Sequence, residues 1–121
     1  MTAPRILTAR RDEVGECPVW DAAAQALYWV DIQGRQMHRL DWSDGVQHSW
    51  TAPERIGCIA LGTEGRVLLA METGIYAVTP QDGPGLSAVL VAGITHPRAA
   101  MRFNDGRCDA LGRFWVSTMC M

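Results

Sequence analysis

Short apolar segments, separated by turn residues at nearly regular intervals, most constrain how this chain can fold. Each has four to seven residues and is followed by glycine, aspartate or proline, which favour turns. The segments are CPVW (17–20), ALYWVDI (26–32), QMHRLD (36–41), VQHSWTA (46–52), IGCIALG (56–62), RVLLAM (66–71), GIYAVTP (74–80) and LSAVLVA (86–92), and a glycine- and proline-rich turn is expected at 80–85. The only helical hint, three alanines at 22–24, is too short to nucleate a helix. The pattern predicts an all-β sandwich, barrel or propeller.

An internal repeat distinguishes among these folds. CPVWDAAAQALYWVDIQGRQMHRLD (17–41) aligns with GCIALGTEGRVLLAMETGIYAVT (57–79), and GRCDALGRFWVSTM (106–119) is a partial third copy. Trp20 corresponds to Leu61, and Leu61 to Cys108, at offsets of 41 and 47 residues. Four-stranded repeats of about 40–50 residues are typical of β-propeller blades. A sandwich, which we keep as the alternative, gives no reason for such self-similarity.

The number of repeats is too small for a closed propeller. About two and a half blades fit into 121 residues, whereas a propeller needs about four to eight to close. Open stacks of blades leave apolar faces and strand edges that associate with other chains. We therefore expect residues 1–121 to be the incomplete N-terminal portion of one propeller domain, ending in or just after a strand, with self-association as the alternative.

Composition excludes several classes of function. Hydrophobic residues make up 48% and charged residues 20% of the chain, as in ordinary globular proteins. A net charge of −2 without a basic run argues against nucleic acid as a partner. The N-terminus lacks the apolar core of a signal peptide, and no apolar stretch approaches the roughly 20 residues that span a bilayer. We therefore expect a cytoplasmic protein without a membrane partner.

Cysteines, histidines and tryptophans are interpreted as structural. The four cysteines match no zinc or redox spacing, so we expect reduced, mostly buried thiols without disulfides. The three histidines show no paired spacing and are expected at the surface or at strand edges. Trp20, Trp29 and Trp115 occupy apolar strand positions and are expected in the core between blades, whereas Trp42 and Trp50 are left open.

Three segments and their spacing carry a resemblance to a known family. GECPVWD (15–21), LYWVDI (27–32) and RFNDGRCDALGRFWVSTM (102–119) resemble the regucalcin and gluconolactonase family, whose members are six-bladed propellers of about 300 residues that bind a divalent metal and hydrolyse sugar lactones. The resemblance covers nearly all of this chain but only about the first two-fifths of a family member. Ala110 and Leu111 replace the usual proline-containing turn, and Ser117 replaces a glycine.

The resemblance implies functional residues. Glu16 matches the family's metal-binding glutamate, and Arg102 and Asn104 match its substrate-contacting arginine and asparagine. An acidic substrate contact, two further metal ligands and the catalytic base, which is one of those ligands, are expected beyond Met121, so no catalytic residue is assigned here. Carboxylate and amide oxygens suit Ca²⁺, Mg²⁺ or Mn²⁺, and Zn²⁺ is also possible.

Propeller geometry is expected to bring these residues together. Inner strands and their loops converge on a central channel, so Glu16 and Asn104 would approach one ion. The structural alternative makes Glu16 a solvated turn residue and NDG (104–106) a turn with Gly106 at its corner, and we interpret Asp105 in that way. Asp21, Asp31, Asp41 and Asp109, which end strands or open turns, are also interpreted as structural.

Two hypotheses about function follow from the resemblance. The first is metal-dependent hydrolysis of a sugar lactone to the aldonic acid by the parent protein, with the 121 residues alone inactive and weakly folded or aggregating. The second is a calcium-binding regulatory or scaffold propeller without turnover. The distal aspartate base that would discriminate between them is not expected within this chain.

Overall fold

The chain folds almost entirely into short β-strands. The computed structural model describes residues 2–81 and 85–121, which form ten strands and no α-helix. The strands are β1 (Gly15–Asp21), β2 (Ala26–Asp31), β3 (Gln36–Asp41), β4 (Gln47–Thr51), β5 (Cys58–Leu61), β6 (Val67–Ala70), β7 (Gly74–Val78), β8 (Val89–Gly93), β9 (Met101–Cys108) and β10 (Phe114–Cys120). Each of the eight predicted segments overlaps one strand, β1 to β8 in order, which confirms the all-β prediction. The turn predicted at 80–85 includes residues 82–84, which lie outside the described residues.

The strands form consecutive propeller blades. The order β1-β2-β3-β4 defines one antiparallel sheet, β5-β6-β7-β8 a second, and β9-β10 a two-stranded third. The first strand of each sheet packs against the first strand of the next, β1 against β5 and β5 against β9. The inner strands thus lie side by side, as they do around the axis of a propeller. The repeat predicted this partial propeller correctly.

Aspartates close the turns after inner strands, as the sequence suggested. The Asp21 carboxylate accepts hydrogen bonds from the backbone N–H groups of Ala23 and Ala24, at 3.1 and 3.2 Å. The Asp109 carboxylate accepts the N–H groups of Leu111 and Arg113, at 2.9 and 3.0 Å. These carboxylates satisfy turn amides that the sheet leaves unpaired, which explains why the same residue type recurs there.

A hydrophobic core joins the first two sheets. Side chains that point to one side of the first sheet meet the facing side of the second, as the twofold alternation of strands requires. The buried members are Ala26, Tyr28, Val30, Ile32, Met37, Trp50 and Ala52 from residues 26–52, and Ile56, Ile59, Val67, Leu69, Met71 and Val78 from residues 56–78. Trp50, which the sequence left open, is 2% exposed and donates its indole N–H to the Gln81 carbonyl at 2.7 Å.

The opposite side of the first sheet carries a polar network. His38 is fully buried there, its Nδ1 lies 2.8 Å from the Ser49 hydroxyl, and its Nε2 lies 2.9 Å from Arg10 Nε and 3.1 Å from the Asp12 carboxylate. Trp29 donates its indole N–H to Asp12 at 2.8 Å. The expectation that His38 lies at the surface is wrong, because the N-terminal segment folds back over the sheet and covers it.

Two other expectations about side chains also need correction. Trp20 and Trp115 are 45% and 63% exposed, and the partly buried Trp29 lies in the polar network and not between blades. All four cysteines are free thiols as predicted, but Cys108 and Cys120 are exposed. Strand periodicity identifies positions on a face of a sheet, yet burial depends on what lies opposite that face.

Membrane-spanning helices are not found in the part of the chain that the structure describes.

Candidate functional site

The inner strands of the three sheets line an open groove of about 610 Å³. β1 contributes Glu16 and Cys17, β5 contributes Ile59, and β9 contributes Asp105 and Arg107. Residues that are up to 92 positions apart in sequence, Glu16 and Cys108, therefore line the same groove. This is the candidate functional site, because it contains the predicted metal ligand together with charged groups from the third sheet.

Glu16 is the second residue of β1 and is exposed. Asp31, which is 4% exposed, holds the preceding segment by accepting the N–H groups of Glu13 and Val14 at 3.1 and 3.0 Å. Burial would raise the pKa of Asp31, but hydrogen bonds from the N–H groups of Val14, Gly34 and Glu13 outweigh burial and lower it. A charged, buried carboxylate thus fixes the direction from which Glu16 enters the groove.

A β-bulge follows Glu16 and involves Cys17. The register between β1 and β2 shifts between Glu16 and Val19, and Cys17 adopts the left-handed φ of 55° that side-chain-bearing residues rarely take. Its sulfur lies 3.4 Å from the Ile59 nitrogen and 3.7 Å from the Ile59 oxygen. Burial raises the pKa of Cys17, with smaller opposing and reinforcing contributions from the Ile59 hydrogen bond and nearby charges, so the sulfur remains a protonated thiol.

Arg102 is buried, and neither it nor Asn104 lines the groove that contains Glu16. It is 7% exposed, and its Nη1 donates to the Phe103 carbonyl at 2.9 Å and to Asn104 Oδ1 at 3.1 Å. Its Nε is buried without a hydrogen-bond partner among residues 2–81 and 85–121. Because Arg102 occupies Asn104 Oδ1, the orientation of the amide is fixed and its NH₂ group is left as the donor.

The segment that contains Asn104 is a strand and not a corner. β9 spans Met101–Cys108, and its register against β10 shifts between Phe103 and Gly106, so NDG lies within an irregular strand and the prediction of a turn there is wrong. Gly106 does not have the positive φ of a turn glycine. A Cβ atom there would lie 2.6 Å from the Trp115 carbonyl oxygen and 3.0 Å from the Cys58 sulfur, so the glycine is required by packing.

Asp105 is the groove residue that sequence reasoning missed. It was interpreted as a turn residue, but it is exposed on β9 and lines the groove with Glu16. Its carboxylate and that of Glu16 both raise the pKa of Cys17, as minor contributions beside burial, which places both charges near that thiol. The repeat carried the signal, because alignment of Cys108 with the end of β1 already placed the residues before it in a strand.

The described donors fit part of a divalent cation site. Glu16 and Asp105 offer carboxylate oxygens, which hard cations prefer. Within residues 2–81 and 85–121, the structure has no group of three or more histidine, cysteine, aspartate or glutamate side chains that could hold a metal ion. The donor chemistry is therefore suitable, while the number of donors is smaller than a complete coordination shell requires.

Comparison with known proteins gives consistent matches. Residues 14–121 match the family described as the SMP-30/Gluconolactonase/LRE-like region. The chain is 41% identical over 106 residues to a 6-deoxy-6-sulfogluconolactonase of Pseudomonas putida, covering 88% of this chain and 35% of that protein. It is 36% identical to an L-arabinolactonase of Azospirillum brasilense, covering 90% of this chain and 35% of that protein.

A solved structure supports the same relationship. The crystal structure of regucalcin from Agrobacterium tumefaciens, described as a calcium-binding protein, aligns with a TM-score of 0.88 at 26% identity. The alignment covers 98% of this chain and 39% of that one. The chain therefore spans little more than a third of the length of the proteins that it matches.

Proposed function

The chain belongs to the SMP-30/gluconolactonase/LRE-like family, and from that membership we propose that it supplies the first blades of a protein that hydrolyses a sugar lactone to the aldonic acid with the help of a divalent cation. Two of the relatives are named as lactonases, which supports this reaction class. The metal is left open among Ca²⁺, Mg²⁺, Mn²⁺ and Zn²⁺, and the identity of the sugar is also left open.

One observation carries the proposal: the predicted metal ligand Glu16 is an exposed carboxylate on an inner strand, in a groove that also receives β9. We assign Glu16 as the ligand from this chain. A divalent cation there would polarise the lactone carbonyl and lower the pKa of a bound water. Asp105 would add negative charge to the same wall and favour cation binding.

Arg102 and Asn104 are proposed as the substrate contacts, in the roles that their matching positions suggest. The Arg102 guanidinium holds Asn104 Oδ1 at 3.1 Å, so the amide presents its NH₂ group as a donor. Such a donor suits a ring hydroxyl or the carbonyl oxygen of a lactone. The positive charge of Arg102 would also stabilise the carboxylate that forms as the ring opens.

The test follows acid release from gluconolactone and from a pentonolactone. It uses the complete gene product, meaning the protein as its gene encodes it. Removing the metal with a chelator, and separately substituting Glu16→Gln, should each lower the rate on the order of a hundredfold or more, since loss of even an outer partner of a metal ligand costs about 10–100-fold. Glu64→Gln is the matched control, because Glu64 lies in an exposed turn with its side chain 86% exposed. Full rates after both treatments would refute the proposal.

A second candidate function is binding of calcium without turnover. The observation that favours it is the aligned regucalcin structure, which is described as a calcium-binding protein. Titration of Ca²⁺ into the complete gene product would then show saturable binding that Glu16→Gln abolishes. Sugar lactones, simple esters and phosphotriesters would all remain intact, whereas hydrolysis of any lactone would exclude this alternative.

We also propose that the 121 residues by themselves are inactive and weakly folded or prone to aggregate. The outer strands present apolar side chains to solvent: Val89, Leu90 and Val91 are 68%, 55% and 59% exposed. Contacts between neighbouring blades supply most of the stability of repeat proteins, so missing neighbours reduce cooperativity. Calorimetry of the isolated chain should show a broad or irreversible transition, and a sharp, reversible melt of a monomer would contradict this expectation.

A further inference from the structure

Equivalent positions of the three inner strands carry different residues. Glu16, Gly57 and Asn104 each lie four positions before Trp20, Leu61 and Cys108, the residues that correspond to one another in the repeat. The two proposed functional residues, Glu16 and Asn104, thus lie on the inner strands β1 and β9. Gly57 has the equivalent position immediately before the inner strand between them, β5. β5 packs against β1 on one side and β9 on the other, so it separates the two.

Gly57 allows β9 to approach β5 closely. A Cβ atom at Gly57 would lie 2.2 Å from the Phe103 carbonyl oxygen and 2.7 Å from the Asn104 carbonyl oxygen. Gly57 has no positive φ, so the requirement for glycine comes from this contact and not from its own conformation. Its N–H donates to the Ala70 carbonyl at 2.8 Å, which ties this position to the second sheet. Any side chain here would have to displace the backbone beside Asn104.

Cys17 forms the corresponding contact on the other side of β5. Its sulfur is within reach of both backbone groups of Ile59, with the N–H of Ile59 as a donor at 3.4 Å. The contact links the residue after Glu16 to the inner strand of the next sheet. The left-handed φ of 55° at Cys17 costs free energy that surrounding contacts must offset, and the sulfur contact is one of these.

We propose that β5 acts as a spacer that sets the separation between Glu16 and Asn104, with Gly57 and Cys17 as its two positioning residues. The proposal rests on the proposed function for the roles of Glu16 and Asn104. Gly57 determines how closely Asn104 and Arg102 approach the spacer, and Cys17 determines where Glu16 lies. The two contacts are separate, so disturbing each should produce a different defect.

Gly57→Ala tests the contact with β9 in the complete gene product. We expect KM for the lactone to rise on the order of tenfold to a hundredfold, because displacements near 1 Å can cost that much, with Mn²⁺ affinity unchanged. Peptides that cover 101–108 should exchange backbone hydrogen for deuterium faster, as measured by mass spectrometry. Gly93→Ala is the matched control, since a Cβ there meets nothing within 4 Å, and it should change neither quantity.

Cys17→Ala tests the contact with β1. Alanine has much the same difficulty with a left-handed φ as cysteine, so the variant removes the sulfur without adding backbone strain. Mn²⁺ affinity should fall about tenfold, as for loss of an outer partner of a metal ligand, and peptides that cover 55–60 should exchange faster. Cys17→Ser should restore part of the affinity, because its hydroxyl can hydrogen-bond Ile59. Cys120→Ala, at an exposed cysteine, is the control.

The spacer proposal is overturned if Gly57→Ala leaves both KM and exchange of 101–108 unchanged, or if both variants weaken metal and substrate binding equally. If Gly57→Ala fails to fold, the affinity and exchange of Cys17→Ala decide the outcome. Wild-type protein that hydrolyses no lactone would overturn the proposed function alone, because the exchange measurements still test whether β5 holds its two neighbours in place.

Discussion

The two contacts between neighbouring sheets differ greatly in extent. Within residues 2–81 and 85–121, thirteen buried residues form the core between the first and second sheets. In the same ranges, the core between the second sheet and the β9–β10 hairpin has three: Cys58, Ala70 and Phe103. The same four-stranded second sheet takes part in both contacts, so the difference lies in the two sheets that it contacts. A four-stranded neighbour covers a whole face, whereas the two strands of the hairpin cover only the inner part.

This comparison shows that burial in such a fold depends on the neighbouring sheet as much as on the sequence. β8 carries an apolar run, yet all five of its residues are exposed. β2 carries a similar run and is largely buried. The side chains are alike in chemistry, and the strand opposite them decides their environment.

The largest expected effect is at the first core. Trp50→Ala should lower the free energy of unfolding by about 3–5 kcal/mol, because it empties a large buried site and removes the hydrogen bond to the Gln81 carbonyl. Urea unfolding of the complete gene product measures the change. A loss below about 1 kcal/mol, the mean effect of an arbitrary substitution, would show that the first core is not the principal source of stability.

A smaller effect is expected at the second core. Phe103→Ala should cost about 2–3 kcal/mol, below the usual range for a fully enclosed aromatic residue, because Phe103 is 8% exposed and few buried neighbours surround it. The same urea experiment gives the comparison. If the loss equals or exceeds that of Trp50→Ala, the inequality between the two cores does not hold in solution.

The polar side of the first sheet adds a dependence on pH that neither apolar core has. Burial, with a further contribution from Arg10, lowers the pKa of His38 below its ordinary value of 6.5, although the carboxylates of Asp12 and Asp31 oppose this. An Nε2 atom that accepts from Arg10 carries no proton, so the neutral ring donates from Nδ1 to Ser49. Protonation would disrupt this arrangement.

The sign of the pH effect follows from the direction of that shift. Between the folded pKa and 6.5 the unfolded chain binds the proton and the folded protein does not. The free energy of unfolding should therefore decrease as the pH falls below about 6.5, by at most about 1.4 kcal/mol per pH unit. Urea midpoints of wild type and His38→Gln across this range provide the measurement, and an equal slope in the two proteins would contradict the prediction.

The smallest effect is expected at an exposed tryptophan. Trp115→Ala changes the same residue type as Trp50→Ala, but Trp115 is 63% exposed. If Trp115 is equally exposed in the complete gene product, the substitution should change the free energy of unfolding by no more than about 0.5 kcal/mol, as exposed substitutions usually do. In the complete gene product a loss of several times that amount would mean that additional strands cover β10, which would locate the continuation of the third blade.

Much of the fold could be predicted because its signals are local. Alternation of side chains and the Gly, Asp and Pro between segments identified all eight strands of the first two sheets. The repeat then placed these strands in successive blades. The predictions failed where a local signal had two meanings, as at NDG, which is a common turn sequence but lies within β9.

The candidate site was predicted less completely. The resemblance singled out Glu16, Arg102 and Asn104. The structure puts Glu16 in the groove, whereas Arg102 and Asn104 lie on β9, on the other side of β5, and do not line it. The resemblance did not identify Asp105 or Gly57. Neither is recognisable from its own neighbours in the chain, since the importance of each depends on a strand more than forty positions away.

The sequence by itself determined the strands, the repeat and the turn-closing aspartates, because these depend on residues that are close together along the chain. Only the tertiary structure decided that His38 is buried, that Trp20 and Trp115 are not, and that Gly57 and Gly106 must be glycine. The physical reason is that burial and close approach are set by atoms on a neighbouring sheet, and the spacing of residues along one strand carries no record of that distance.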